Sequence, residues 1–157
     1  MHLSKLTAFA ALVASVIASP APAPAPSPDV DTKLLAKRAE GIHLLNCVTY
    51  STVVYCANDS NCNFNPGAGN ACSPGSGVFH WEGGSHSCTF GGTGVTFTWA
   101  IDSNAQSYPN FQKAGTGSNG FHNFNCFKDD QHVMYTDGNG HACRSIYYCL
   151  DQLGLKF

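Results

Sequence analysis

The clearest pattern in the chain is a period of two over residues 95–101. There Val95, Phe97, Trp99 and Ile101 point to one side and Thr96, Thr98 and Ala100 to the other, which predicts a half-buried strand. The strand follows Gly91-Gly92-Thr93-Gly94, a flexible connection from residues 87–90, so the pair reads as a hairpin. A second hairpin is expected between 133–136 and 141–148, joined by Asp137-Gly138-Asn139-Gly140, four residues that accept positive φ. Residues 49–55 and 78–81 are further strand candidates, and another β-like run precedes Cys47. Residues 58–77, rich in Asn, Gly, Ser and Pro and holding two cysteines, read as a stapled loop. Residues 103–120 read as a polar stretch with room for a short helical turn. No amphipathic helix of ten or more residues is visible. The expected fold is therefore all-β, a small disulfide-stapled sandwich or barrel, with an α+β domain containing one short helix as the alternative.

The N-terminal part follows other rules. Residues 6–18 form an unbroken apolar run behind Lys5, too short for an ordinary membrane-spanning helix, and Val16 and Ala18 suit a signal-peptidase site. Residues 1–18 thus read as a signal peptide. Residues 19–38 open with Pro20, Pro22, Pro24, Pro26 and Pro28 alternating with small residues, a composition that stays extended and cannot bury a core, and end in the dibasic pair Lys37-Arg38. Signal peptide, Ala-Pro tract and Lys-Arg end together resemble the prepro leaders of fungal secreted proteins matured by a kexin-type protease. The mature product is then a single domain of residues 39–157, extracellular and without a membrane anchor.

All eight cysteines lie in that domain: Cys47, Cys56, Cys62, Cys72, Cys88, Cys126, Cys143 and Cys149. An even set behind a secretion signal predicts four disulfides, and the absence of any Cys-x-x-Cys argues against zinc. Eight cysteines allow 105 pairings, among which the spacing does not choose. Within residues 39–157 four fixed cations, Lys113, Lys128, Arg144 and Lys156, stand against eight carboxylates, so 4 minus 8 leaves a net charge of −4 there, against −2 for the full sequence. That balance disfavours a surface that tracks phosphates and a cationic peptide that disrupts membranes.

Candidate chemistry centres on histidines. His80 and Glu82, two apart on an expected strand with Trp81 facing inward between them, could share acid-base work. His122, His132, His141 and Arg144 near the second hairpin could complete the base, acid and cation that RNA cleavage through a 2′-hydroxyl needs. Against this, six histidines in 119 residues fall on polar strand positions without any chemical role, and no catalytic residue is assigned. Asp129-Asp130 with His132 has metal-ligand chemistry but reads as a solvated turn, and Asp137-Gly138-Asn139-Gly140 lacks the rest of a calcium loop. No metal or other cofactor is expected. Asn58-Asp59-Ser60 is a glycosylation sequon in the stapled loop. Tyr147-Tyr148 should split between core and surface, and exposed aromatics could hold sugar or protein.

Two segments invite comparison. Ser107-Tyr108-Pro109-Asn110-Phe111 and Gly120-Phe121-His122-Asn123-Phe124 loosely resemble the Tyr-Pro-His and Glu-Gly-Phe steps of fungal guanyl-preferring ribonucleases. Asn110 stands where that family has its catalytic histidine and no glutamate precedes Gly120, so the resemblance implies at most a non-catalytic derivative. Leader, mature size and cysteine number resemble the broad class of fungal small secreted cysteine-rich, effector-like proteins. That resemblance implies a monomeric, non-enzymatic protein that binds a host protein or a cell-wall glycan and takes part in virulence. An extracellular ribonuclease and an antimicrobial or killer-type toxin are the alternatives.

Overall fold

The computed structural model describes residues 40–152. The expected signal peptide, the Pro-rich segment and the expected processing pair Lys37-Arg38 lie outside the described residues. Nine strands follow in order: β1 (Gly41–Cys47), β2 (Tyr50–Cys56), β3 (Ala71–Cys72), β4 (His86–Thr89), β5 (Thr96–Ile101), β6 (Lys113–Ser118), β7 (Asn123–Lys128), β8 (Val133–Thr136) and β9 (Ala142–Asp151). The helical content of the described residues is confined to single 3-10 turns at Asp59–Asn61, Ala68–Asn70 and Ala105–Ser107. The all-β expectation therefore holds, as a nearly closed barrel-like sheet.

The strands run β3-β2-β1-β9-β7-β6-β5-β4, every neighbouring pair antiparallel. An open sheet of this length leaves two unpaired edges. Here the edges are drawn together: Cys72 of β3 and Cys88 of β4 form a disulfide with their Cα atoms 5.9 Å apart. Next to it, the Gly92 amide donates to the Gly69 carbonyl at 3.0 Å. A Cβ on Gly92 would press on the Gly69 backbone, so this close approach requires glycine. The remaining disulfides are Cys47–Cys143, Cys126–Cys149 and Cys56–Cys62. The first two tie residues that are already paired across β1–β9 and β7–β9.

β9 is long enough to serve two partners on one edge. Its Tyr147–Asp151 half pairs with β7, and its Ala142–Arg144 end pairs with β8. Asp129 to His132 make the corner between them, with Gln131 at φ +63° and the Asp129 amide on the Ile146 carbonyl at 2.9 Å. Leu44, Val53, Phe97, Trp99, Phe124 and Tyr147 fill the barrel interior. A second apolar cluster of Leu45, Cys47, Val54, Cys56, Met134 and Cys143 lies on the outer face of β1, β2 and β9, under β8 and the Cys56–Cys62 loop. Both faces of β1 and β2 are thereby buried, which is why their sequences lack a polar alternate. Tyr147 is fully buried while Tyr148 stacks on Phe127 on the other face, as the doublet predicts.

Two expectations are corrected. Residues 78–81 form no strand; Gly77 at φ +72° turns the chain, and the Phe79 amide goes to the Ser51 hydroxyl at 2.9 Å instead of a ladder. The segment then runs from the start of β2 to the end of β5, where Glu82 makes a single parallel bridge with Ile101. On the way Trp81 enters the core, donating its indole N–H to Asn46 at 2.9 Å, and closes that end of the barrel. Residues 103–120 contain the foreseen short turn but also β6, whose inward positions opposite Trp99 and Ile101 are Gly117 and Gly115.

Candidate functional site

With one end plugged by Trp81 and Glu82, the other end is an open mouth. β1 begins there, β2 and β9 end there, and the β6–β7 turn of Asn119 to His122 forms part of the rim. A cavity of about 410 Å³ lies in this mouth. Ile42, Tyr55, Phe90 and Val95 supply apolar walls, and Phe121, 80% exposed, stands at the lip. Polar groups converge at one side. Tyr55 Oη donates to Glu40 Oε1 at 3.1 Å, and His122 Nδ1 lies 3.6 Å from Glu40 Oε2 and 3.2 Å from Asp151 Oδ2. Burial and the adjacent Glu40 carboxylate hold the Tyr55 phenol above its ordinary pKa, so it stays a donor. Asn119 keeps the turn in place, accepting the amides of Phe121 and His122 on its side-chain oxygen at 3.0 and 2.7 Å. An apolar cavity with a few convergent polar groups in a barrel mouth is the usual form of a ligand site.

At the plugged end Glu82 is 4% exposed. Its Oε1 accepts from Tyr147 Oη and from Gln106 Nε2, while Oε2 faces His80 Nδ1 at 3.2 Å. Burial first and Glu82 second push the Tyr147 phenol far up. Lys128 supports the network from behind, donating to the carbonyls of Gln106 and Tyr108 at 2.6 and 2.7 Å. His80 and Gln106 face solvent whereas Glu82 and Tyr147 do not, so a carboxylate and an imidazole do meet, with the carboxylate buried behind them.

The remaining sequence candidates are dispersed. His122 is on the mouth, at the opposite end of the barrel from Glu82. His141 lies 3.3 Å from Asp137 within the β8–β9 hairpin, and Arg144 donates to the Gln131 carbonyl at 3.0 Å. The two ribonuclease-like segments flank β6, whose six residues hold them about 20 Å apart at about 3.3 Å per residue. His132 donates its amide and turns its ring to exposed Asp130, at 3.0 and 2.7 Å, whereas Asp129 is 3% exposed and so is not the solvated residue that was expected. Asn58 is half-buried at the start of the Asp59–Asn61 turn, and its side-chain oxygen accepts from the Ser60 hydroxyl at 2.8 Å.

One arrangement had no sequence signal. His43 Nδ1 meets Ser145 Oγ at 3.1 Å and His43 Nε2 meets Asp59 Oδ1 at 2.8 Å, the residue types of a hydrolase triad with the two ring nitrogens exchanged. Ser145 has no exposed surface, so the array cannot present a nucleophile and acts instead as a buried tie between β1, β9 and the 58–62 loop. Gly41 admits Asp59 to this position, since a Cβ there would overlap its carboxylate. Glu40, Tyr55, Phe90 and Asp151 at the mouth were likewise missed, because the chain separates them: the pairing of β1 with β2 and β9 brings the first, second and fourth together, and barrel closure adds Phe90. Phe121 did carry a signal, a large apolar side chain in an Asn-Gly turn.

No protein-family model, no curated protein and no solved structure matches the chain.

Proposed function

We propose that this is a secreted, non-enzymatic binding protein of the effector-like kind, and that its barrel mouth takes the end of a cell-wall glycan. The observation that carries the reading is the asymmetry of the barrel: one end plugged by Trp81, the other open on a cavity of about 410 Å³. A sugar ring has apolar C–H faces and an equatorial belt of hydroxyls. Phe121, Tyr55 and Phe90 offer flat apolar surface for the first, and Glu40, Asn119 and His122 offer acceptors and donors for the second. Four disulfides are compatible with an extracellular protein, and no helix among the described residues is long and apolar enough to cross a membrane.

The non-enzymatic part of the reading draws support from the dispersal of the histidines, each of which the fold gives its own carboxylate or carbonyl partner. The test is an NMR titration of the mature protein with oligosaccharides of chitin, β-glucan and xylan. One of them is expected to shift the amides of Phe121, Tyr55 and Phe90, and Phe121→Ala is expected to weaken that binding about tenfold. If none perturbs the mouth, the glycan reading fails. Capture of a host protein by the wild type but not by Phe121→Ala would then assign the mouth to protein recognition.

A further inference from the structure

We propose that Glu40, His122 and Asp151 form a divalent-cation site on the rim of the barrel mouth, suited to zinc. The inference does not depend on what the cavity holds. The three residues come from separate places, the residue before β1, the β6–β7 turn and the end of β9, yet one ligand atom from each lies within 4.8 Å of the other two. Their spacing is that of a shared centre. Metal–ligand bonds of about 2.0–2.1 Å in a tetrahedron put neighbouring ligands about 3.3–3.4 Å apart. His122 Nδ1 lies 3.2 Å from the Asp151 oxygen and 3.6 Å from the Glu40 oxygen.

The orientation agrees with the spacing. His122 Nδ1 is a buried atom that makes a directed hydrogen bond with neither carboxylate, although both are near. His141 Nδ1 also lacks a directed bond beside Asp137, but it has one carboxylate near it, whereas His122 has two from separate elements, as ligand atoms around a common point would. The carboxylate is also held from behind: the Tyr55 hydroxyl occupies Glu40 Oε1 and leaves Oε2 towards His122, the outer-shell support that metal ligands commonly have. The Asp151 amide donates to the Glu40 carbonyl at 3.2 Å, fixing the two acidic residues side by side.

Charge and chemistry give the ion class. Two carboxylates and one imidazole balance a divalent cation and suit a borderline ion rather than a soft one. Glu40 and His122 border the mouth, and His122 and Asp151 border an adjoining cavity of about 210 Å³, so water or ligand can complete the coordination. The other clusters of similar composition lack this. Cys56 and Cys62 beside His43 are joined to each other, and Asp130 is committed to its own turn with His132.

The experiment is calorimetric titration of the disulfide-intact mature protein with Zn²⁺ at neutral pH, alongside imidazole ¹⁵N NMR of the wild type. One equivalent is expected to bind, with the His122 ring as the one that shifts. His122→Ala and Asp151→Asn should each weaken binding about tenfold or more, Tyr55→Phe should weaken it less, and His132→Ala should leave it unchanged. The proposal is overturned if no Zn²⁺ binds, if binding survives His122→Ala, or if the His132 or His43 ring shifts instead. The NMR measurement on the unaltered chain decides the matter even where a variant folds poorly.

Discussion

A carboxylate buried as deeply as Glu82 is tolerated only while its oxygens stay hydrogen-bonded. Tyr147 and Gln106 serve one oxygen and His80 the other. This makes Glu82 a structural anchor of the barrel plug, and the prediction follows from what each replacement leaves behind. Glu82→Ala strands the Tyr147 hydroxyl in the core and opens a void, and should cost about 2–4 kcal/mol. Glu82→Gln keeps an oxygen for Tyr147 and places an amide towards His80, and should cost less than about 1.5 kcal/mol. Urea unfolding with the disulfides intact measures both. A catalytic Glu82 would reverse the weighting, with Glu82→Gln abolishing a measurable RNA cleavage while the fold stands; no cleavage by the wild type is expected.

At the scale of elements, the chain shows plainly those strands that have one dry and one wet face. β5 was legible because Phe97, Trp99 and Ile101 alternate with exposed Thr96, Thr98 and Ala100. β6 was not, because its inward residues are glycines: a Cβ on Gly117 would overlap the Phe97 ring, so the bulky side chains of β5 fill the space that β6 leaves empty. Residues 78–81 misled for the opposite reason, since Val78, Phe79 and Trp81 are apolar to plug an end rather than to pair. The rim site was illegible because it depends on β1, β9 and β7 lying side by side, an order that strands so far apart in the chain do not announce, while the seam that brings Phe90 to the mouth is held by Cys72–Cys88. Replacing both Cys72 and Cys88 by alanine should therefore do more than lose the entropic contribution of a 16-residue loop, about 3 kcal/mol. Hydrogen exchange should rise selectively in β3 and β4 as the seam opens, whereas loss of Cys56–Cys62, six residues apart, should leave exchange in those strands unchanged.

At the scale of the whole molecule, the carboxylates of the described residues are met by histidine and tyrosine. Each carboxylate among the described residues lies beside a histidine or a tyrosine, as in Asp59 with His43, Asp102 with Tyr108 and Asp137 with both His141 and Tyr50. This arrangement fixes how stability depends on pH. The His132 hydrogen bond holds Asp130 below its ordinary 3.8, and amide donation from His141 does the same first for Asp137. Lowered carboxyl groups contribute stability that is present above about pH 4 and is lost as pH falls through their folded values. All six tyrosines are shifted the other way, by burial first in every case: Tyr50, Tyr55, Tyr108, Tyr147 and Tyr148 rise, and Tyr135 is pushed up to about 12. A raised phenol contributes stability that is complete below its ordinary value of 10.0 and is lost as pH rises through the folded value. From these groups the melting temperature should be level between about pH 5 and 9 and fall on both sides. Absorbance at 295 nm isolates the alkaline limb. The native protein should show little phenolate at pH 10, where the reduced and denatured chain is half ionised, and its phenolate should then appear together with unfolding. A native titration centred near pH 10 would mean that the hydroxyls are hydrated and that the tyrosine–carboxylate contacts do not hold the barrel.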